Sequence, residues 1–255
     1  MLPRAKRHGR AIQPGAGRIK HALLRQQPLP GLPPESRIQN IIARNRLRAG
    51  IPTAIADGLL NRPEIPYALR FTAWILVVDL WNYGQHYLLH GNAWLWRVHL
   101  LHHSDRDMDF TNQFRFHPLE GLIARLGSVL AIFVLAPPAA AVAVYEVLAV
   151  IVGMLEHANL RLPAAVERLL RWLVITPELH QIHHSLDERE QHRNLGVVFV
   201  WWDRLFGTYL DAPAGGIDGL EFGVDEVDAR ASLDPLHMLA APFQSARKAT
   251  DATVV

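Results

Sequence analysis

The sequence predicts an all-α protein, a membrane-embedded helical bundle with a short helical hairpin. Three observations lead there. Residues 67–83 and 119–155 form two long apolar runs. The second run is broken in its middle by Pro137-Pro138, a pair that ends one helix and starts the next. Histidines recur at i, i+3 and i+4, the spacings at which helical side chains share a face. Half of the 255 residues are apolar and a fifth are charged, which excludes disordered and fibrous classes.

In chain order, residues 1–64 carry 12 Lys and Arg against 3 Asp and Glu, with the turn-rich run PLPGLPP at 28–34. No apolar core of 7–15 residues follows this basic start, so a cleaved secretory signal is not expected. The segment reads as a basic, poorly ordered N-terminal arm, or as a polybasic stretch held on anionic lipid. Residues 65–211 form the body. The 67–83 run opens it. Neither half of 119–155 reaches the ~20 residues of a comfortable span, so two short helices entering and leaving one leaflet fit it best. Arg97, Arg106 and Arg115 lie between the runs, and Arg161, Arg168 and Arg171 follow the second. The positive-inside rule then makes these loops cytoplasmic and points the Pro-Pro tip away. Residues 212–255 read as a loose C-terminal extension, with 233–243 apolar enough to dock as a short helix.

The chain has no cysteine, which removes disulfides, thiolate metal sites, iron–sulfur clusters and cysteine nucleophiles. It has 14 histidines. Eight fall in three clusters: His86 with His90; His99, His102 and His103; His180, His183 and His184. Each cluster is expected to aim its imidazoles at one point. Imidazole is neutral near pH 7 and suits first-row transition metals. With His157 as a ninth, there are too many ligands for one ion and enough for two. A zinc protease would carry HExxH, yet Tyr87 and Gln181 follow the leading histidines here. Carboxylate-bridged bundles use paired ExxH motifs, and none is present.

The chain resembles the fatty acid hydroxylase/sterol desaturase superfamily of membrane di-iron oxygenases. The likeness rests on DLWNYGQH at 79–86 with His90, LWRVHLLHHS at 95–104 and RFHPLE at 115–120. It continues through EHAN at 156–159, TPELHQIHHS at 176–185, NLG at 194–196 and WDRLFGTY at 202–209. It implies two iron ions held on the cytoplasmic side by His86, His90, His99, His102, His103, His157, His180, His183 and His184, with dioxygen as co-substrate. It also implies hydroxylation or desaturation of a lipid C–H bond, with two electrons from an external redox protein. No dinucleotide-binding glycine fingerprint and no nucleic-acid role are read from the chain. The alternative function is a metal-binding membrane protein of the same fold without oxygenase activity.

Three residues are expected to support the ligands. Asp79 lies on one helical stripe with Tyr83, His86 and His90. A carboxylate inside an apolar run needs a partner. It would accept an imidazole N–H and fix the ligand's tautomer, or else act as a cap or in an ion pair. His117 matches a family position in or near the ligand shell. Asn194 and 202–209 read as scaffold. Glu146 aligns with Gly153 and His157 and supports a weaker version of the Asp79 argument. His192, in the charged stretch DEREQHRN, reads as a solvated loop residue; His8, His21 and His237 lie outside every motif.

Overall fold

The computed structural model describes residues 58–62, 64–226 and 234–244. The basic arm therefore lies largely outside the described residues. Among these residues every regular element is helical, and extended pairing is confined to two isolated bridges, Val174 with Phe199 and Ser185 with Phe222.

Helix α1 (Tyr67–Gly91) begins after Pro66 and ends at Asn92, whose side chain accepts from the backbone N–H groups of Trp94 and Leu95. That cap starts α2 (Ala93–His103), so the chain reverses within one residue. A 3₁₀ turn (Phe110–Phe114) follows, capped by Asp109. Helix α3 (Pro118–Leu135) ends on Ala136, which takes a left-handed φ of 45°. Pro137-Pro138 follow, and α4 (Ala139–Glu156) runs back. The hairpin expected from the proline pair is present. At ~1.5 Å per residue each arm is about 27 Å long. Both arms are long and apolar enough to cross a membrane, with 0 % of α3 and 33 % of α4 buried inside the protein.

The remaining helices are short: α5 (Ala164–Leu170), α6 (Pro177–His183), α7 (Glu188–Gln191), α8 (Trp201–Phe206) and α9 (Pro235–Gln244). A core of Trp74, Val78, Ala141, Val142, Tyr145, Val152 and Val198 joins α1, α4 and the strap before α8. At its centre Asp79 accepts from Tyr145 Oη at 2.7 Å, Trp202 Nε1 at 2.7 Å and the Phe199 amide at 3.1 Å. The start of the C-terminal extension is docked rather than loose. Leu186 donates to the Glu221 carbonyl at 2.7 Å, Val224 packs with Trp96 and Leu100, and α9 lies against α2.

Candidate metal centre

The bundle gathers histidines from four places. α1 contributes His86 and His90, and α2 contributes His99, His102 and His103. His157 is the C-cap of α4; His180 and His183 come from α6, with His184 as its C-cap. All nine are between 0 % and 9 % exposed. Their nitrogens converge in two groups, His86, His90, His99, His103 and His183 in one, and His102, His157, His180 and His184 in the other. Within each group the donor atoms lie within 4.8 Å of one another. His103 and His184, one from each group, stack at 4.2 Å between ring centroids.

The groups do not follow the sequence clusters, contrary to the expectation that each HxxHH aims at one point. In both motifs the i, i+4 pair serves one group and the i+3 histidine serves the other. At about 100° per residue, i+4 sits some 40° to one side of i, while i+3 sits some 60° to the other. A single HxxHH helix therefore faces two centres at once.

Five of the rings have their protons fixed by what Nδ1 touches. Nδ1 of His86 donates to the Leu195 carbonyl at 2.8 Å, His157 to Gly153 at 2.7 Å, His183 to Arg193 at 3.0 Å and His102 to Arg115 at 3.2 Å. His99 donates to Glu120 Oε1 at 2.8 Å. A carbonyl only accepts, so in these neutral rings Nε2 is a bare lone pair. Yet Nε2 of His102 and Nε2 of His157 are 3.1 Å apart. His157 Nε2 lies 3.0 Å from His180 Nε2, which is 3.2 Å from His184 Nε2. In the His102–His157 pair two lone pairs face each other and do not bond. In the other group, Nε2 of His86, His99 and His183 and both nitrogens of His90 and His103 are buried without a partner. Each such atom costs roughly 1–3 kcal/mol unless something satisfies it. A cation at about 2.0–2.1 Å from each nitrogen would do so, and would set nitrogens about 3 Å apart. The donor set fits a metal in both groups.

Burial and the neighbouring imidazoles hold His102, His103, His180, His183 and His184 well below the usual 6.5. Burial likewise lowers His157 to about 4, against the pull of its bond to Gly153. These rings are neutral near pH 7, the form that binds metal.

Two of the carbonyls come from one loop, residues 193–196, which two buried side chains hold. Asn194, at φ 53°, donates to the Leu179 and Leu210 carbonyls at 3.0 Å and accepts from the Leu210 amide at 2.9 Å. Asp203, fully buried, accepts from the Leu195 amide at 2.7 Å, the Gly196 amide at 2.8 Å and Thr208 Oγ1 at 2.7 Å. Tyr83 donates to the Thr208 oxygen at 2.9 Å. Burial pushes the Asp203 carboxyl up to about 6 despite these bonds. Glycine is needed at 196, because a Cβ there would come within 2.8 Å of Asp203 Oδ2.

Several expected roles change. Asp79 touches no imidazole; its oxygens are taken by Tyr145, Trp202 and Phe199, because the α1 stripe rotates away from the histidines toward α4 and α8. His117 lies outside both groups. It caps α3 by accepting from the Leu119 amide at 3.1 Å, and its Nε2 donates to the Leu239 carbonyl at 3.2 Å. Glu146 pairs with Arg125 at 3.0 Å. Asn194 is a loop clamp, in line with its scaffold reading. His192 is partly buried rather than solvated, its ring 5.7 Å from that of His90. Arg115, counted for orientation, is buried and paired with Asp105 at 2.9 Å. Glu120 escaped notice although it ends the RFHPLE motif; a carboxylate one turn past a histidine was the signal available. His237 and the other two histidines outside the motifs have no described side chain.

A cavity of about 360 Å³ opens onto both groups, reaching His86 and His99 of one and His102, His157 and His180 of the other. Its walls are mainly apolar side chains of α1, α3 and α4, with Asn82, Gln85, Gln113 and Glu156 among them. One oxygen of Glu156 is buried without a partner.

The model of the family described as fatty acid hydroxylase matches residues 71–208. An ornithine lipid hydroxylase of Rhizobium tropici is 29 % identical over 148 residues, 58 % of this chain and 44 % of that protein. A sphinganine C4-monooxygenase of Arabidopsis thaliana is 27 % identical over 159 residues, 62 % of this chain and 60 % of the relative. An alkylglycerol monooxygenase of Xenopus tropicalis is 27 % identical over 153 residues, 58 % and 32 %. The chain thus spans between a third and three fifths of these relatives' lengths. No solved structure matches.

Proposed function

This chain belongs to the fatty acid hydroxylase family, and from that premise we propose that it is a membrane di-iron oxygenase that hydroxylates a lipid. The observation that carries the reading is the pair of buried histidine groups that line an apolar cavity, with the bare Nε2 atoms of His102 and His157 3.1 Å apart in one of them. His86, His90, His99, His103 and His183 would hold one iron, and His102, His157, His180 and His184 the other. Bound iron supplies the activation of dioxygen that an unreactive C–H bond requires. The reaction balances as R–H plus dioxygen, two electrons and two protons, giving R–OH and water. Lipid hydroxylase and monooxygenase relatives favour the alcohol over the alkene as product.

The chain's own residues do the rest. The carbonyls of Arg115, Gly153, Arg193 and Leu195 keep protons on Nδ1 and lone pairs toward the metals. Glu120 makes His99 a stronger donor by accepting its N–H. The buried walls exclude bulk water and orient an alkyl chain. The α3–α4 hairpin sits in the bilayer with its tip away from the cytoplasm, placing the histidines at the cytoplasmic face, where an external redox protein delivers the electrons. Lipid extracts of cells with and without the chain test this. A product one oxygen heavier, absent when the chain is absent and carrying the label when isotopically labelled dioxygen is supplied, is the expected pattern. No change in any lipid under aerobic, iron-replete growth would overturn the reading.

A further inference from the structure

Helix α9 reads PLHMLAAPFQ, ten residues without one Asp, Glu, Lys or Arg. Met238 and Pro242 are buried against the body. Leu236, Leu239 and Phe243, at i, i+3 and i+7, form a second apolar stripe that is 76 %, 42 % and 75 % exposed. A helix facing water on one side normally carries charge there. This one has nothing polar to offer on that stripe.

Its position says what covers it. The Leu239 carbonyl accepts from His117, the residue that caps α3, so α9 lies beside the first turn of a candidate membrane helix. That turn also exposes apolar side chains, Leu119 at 39 % and Leu122 at 54 %. α9 packs on α2, whose first turn exposes Trp94 at 74 % with the Arg97 guanidinium 4.6 Å above its ring. Aromatic and basic side chains at one level mark a membrane–water boundary. The sequence after the helix continues with Arg247 and Lys248, charges that favour an anionic surface.

We infer that α9 is an interfacial membrane helix: it docks on α2 by Met238 and Pro242 and lays Leu236, Leu239 and Phe243 into the lipid at the level where α3 enters the bilayer. The inference rests on the membrane reading of α3 and α4. Because the chain has no cysteine, single cysteines can be spin-labelled without background. The metal-loaded full chain in bilayers of phosphatidylcholine and phosphatidylglycerol would carry a label at Leu236→Cys, Phe243→Cys, Val129→Cys on α3, or Glu188→Cys on α7. The ratio of collision with oxygen to collision with a water-soluble nickel chelate reports depth. Positions 236 and 243 should give a ratio several-fold above that at 188 and below that at 129. If 129 is lipid-exposed while 236 and 243 match 188, α9 faces water and the inference fails alone. If 236 and 243 are shielded from both reagents, protein covers the stripe and the inference fails. If 129 itself matches 188, the membrane reading falls first. Metal content equal to that of the unlabelled chain identifies variants that fold.

Discussion

The hairpin and the histidine layer invert each other. α3 is among the most apolar stretches of the chain and buries none of its residues. Nine imidazoles, ordinarily at home in water, are almost completely buried. In a protein surrounded by water both arrangements would be costly, the first by exposing apolar area and the second by stranding polar atoms. In the proposed reading each is resolved by something outside the polypeptide, lipid for the hairpin and metal for the histidines. On that reading part of the chain's stability would reside in two partners, and each region should respond to the loss of its own partner only.

Removing a ligand should break the histidine side most severely. His180→Ala takes one of four nitrogens from its group, so metal content should fall from two ions toward one and lipid oxidation should cease. His103→Ala and His86→Ala should do the same through the five-membered group. Retention of both ions in any of the three variants, measured by elemental content, would contradict the partition. Acid should act next. An imidazole whose folded pKa is depressed is neutral in the protein but takes a proton on unfolding below 6.5, so its stabilisation is complete above that pH and shrinks as pH falls toward the folded value. His157, His180 and His183, all depressed by burial, each add to that slope. Metal release and loss of helical signal should therefore steepen together below pH 6.5, while a label on α3 stays in lipid. A profile flat from pH 8 to pH 5 would refute this.

Smaller changes sharpen the contrast within the histidine layer. Asp203→Asn keeps the shape but sets an amide against the Gly196 N–H, loosening the loop that supplies carbonyls to His86 and His183. One ion of the two should bind about 10–100-fold more weakly in competition with a chelator, and the other should be unmoved. Asp79→Asn should do the reverse. It strips a hydrogen bond from the Tyr145–Trp202 junction, costing about 1–3 kcal/mol of thermal stability, with metal affinity unchanged. His192→Ala should have the least effect, an activity loss of less than about tenfold, since its ring only borders His90. An inactive His192→Ala with an active His180→Ala would reverse the ligand assignment.

The sequence made the helices and the clustering of the histidines legible for a local reason. Proline pairs, apolar length and i, i+4 spacing are properties of adjacent residues, and they place the hairpin break at Pro137-Pro138, within the 136–138 gap that the structure shows, and the histidines on or at the ends of helices. What escaped depends on distant backbone. No pattern in the sequence announces that the Leu195 carbonyl will meet His86, 109 positions away, or that Asp203 will hold Leu195 in place. Asp79 was legible as a carboxylate needing partners, but the partners were Tyr145 and Trp202, set by how α1 rolls against α4. The split of each HxxHH between two groups is invisible when both spacings are read as one face; at close range their 100° divergence decides which group each ring joins.

The separation of the ligands along the chain has a further consequence. One group sets His86 beside His183, so an ion held there would close a circuit of roughly 100 residues, and a covalent bridge over such a span would lower the entropy of the unfolded chain by the equivalent of about 4–5 kcal/mol. This chain has no cysteine with which to make one. The ions would therefore act as reversible cross-links where disulfides cannot form. A chain short of metal would lack the tie between His86 and His183, open at the seam where the two histidine groups meet.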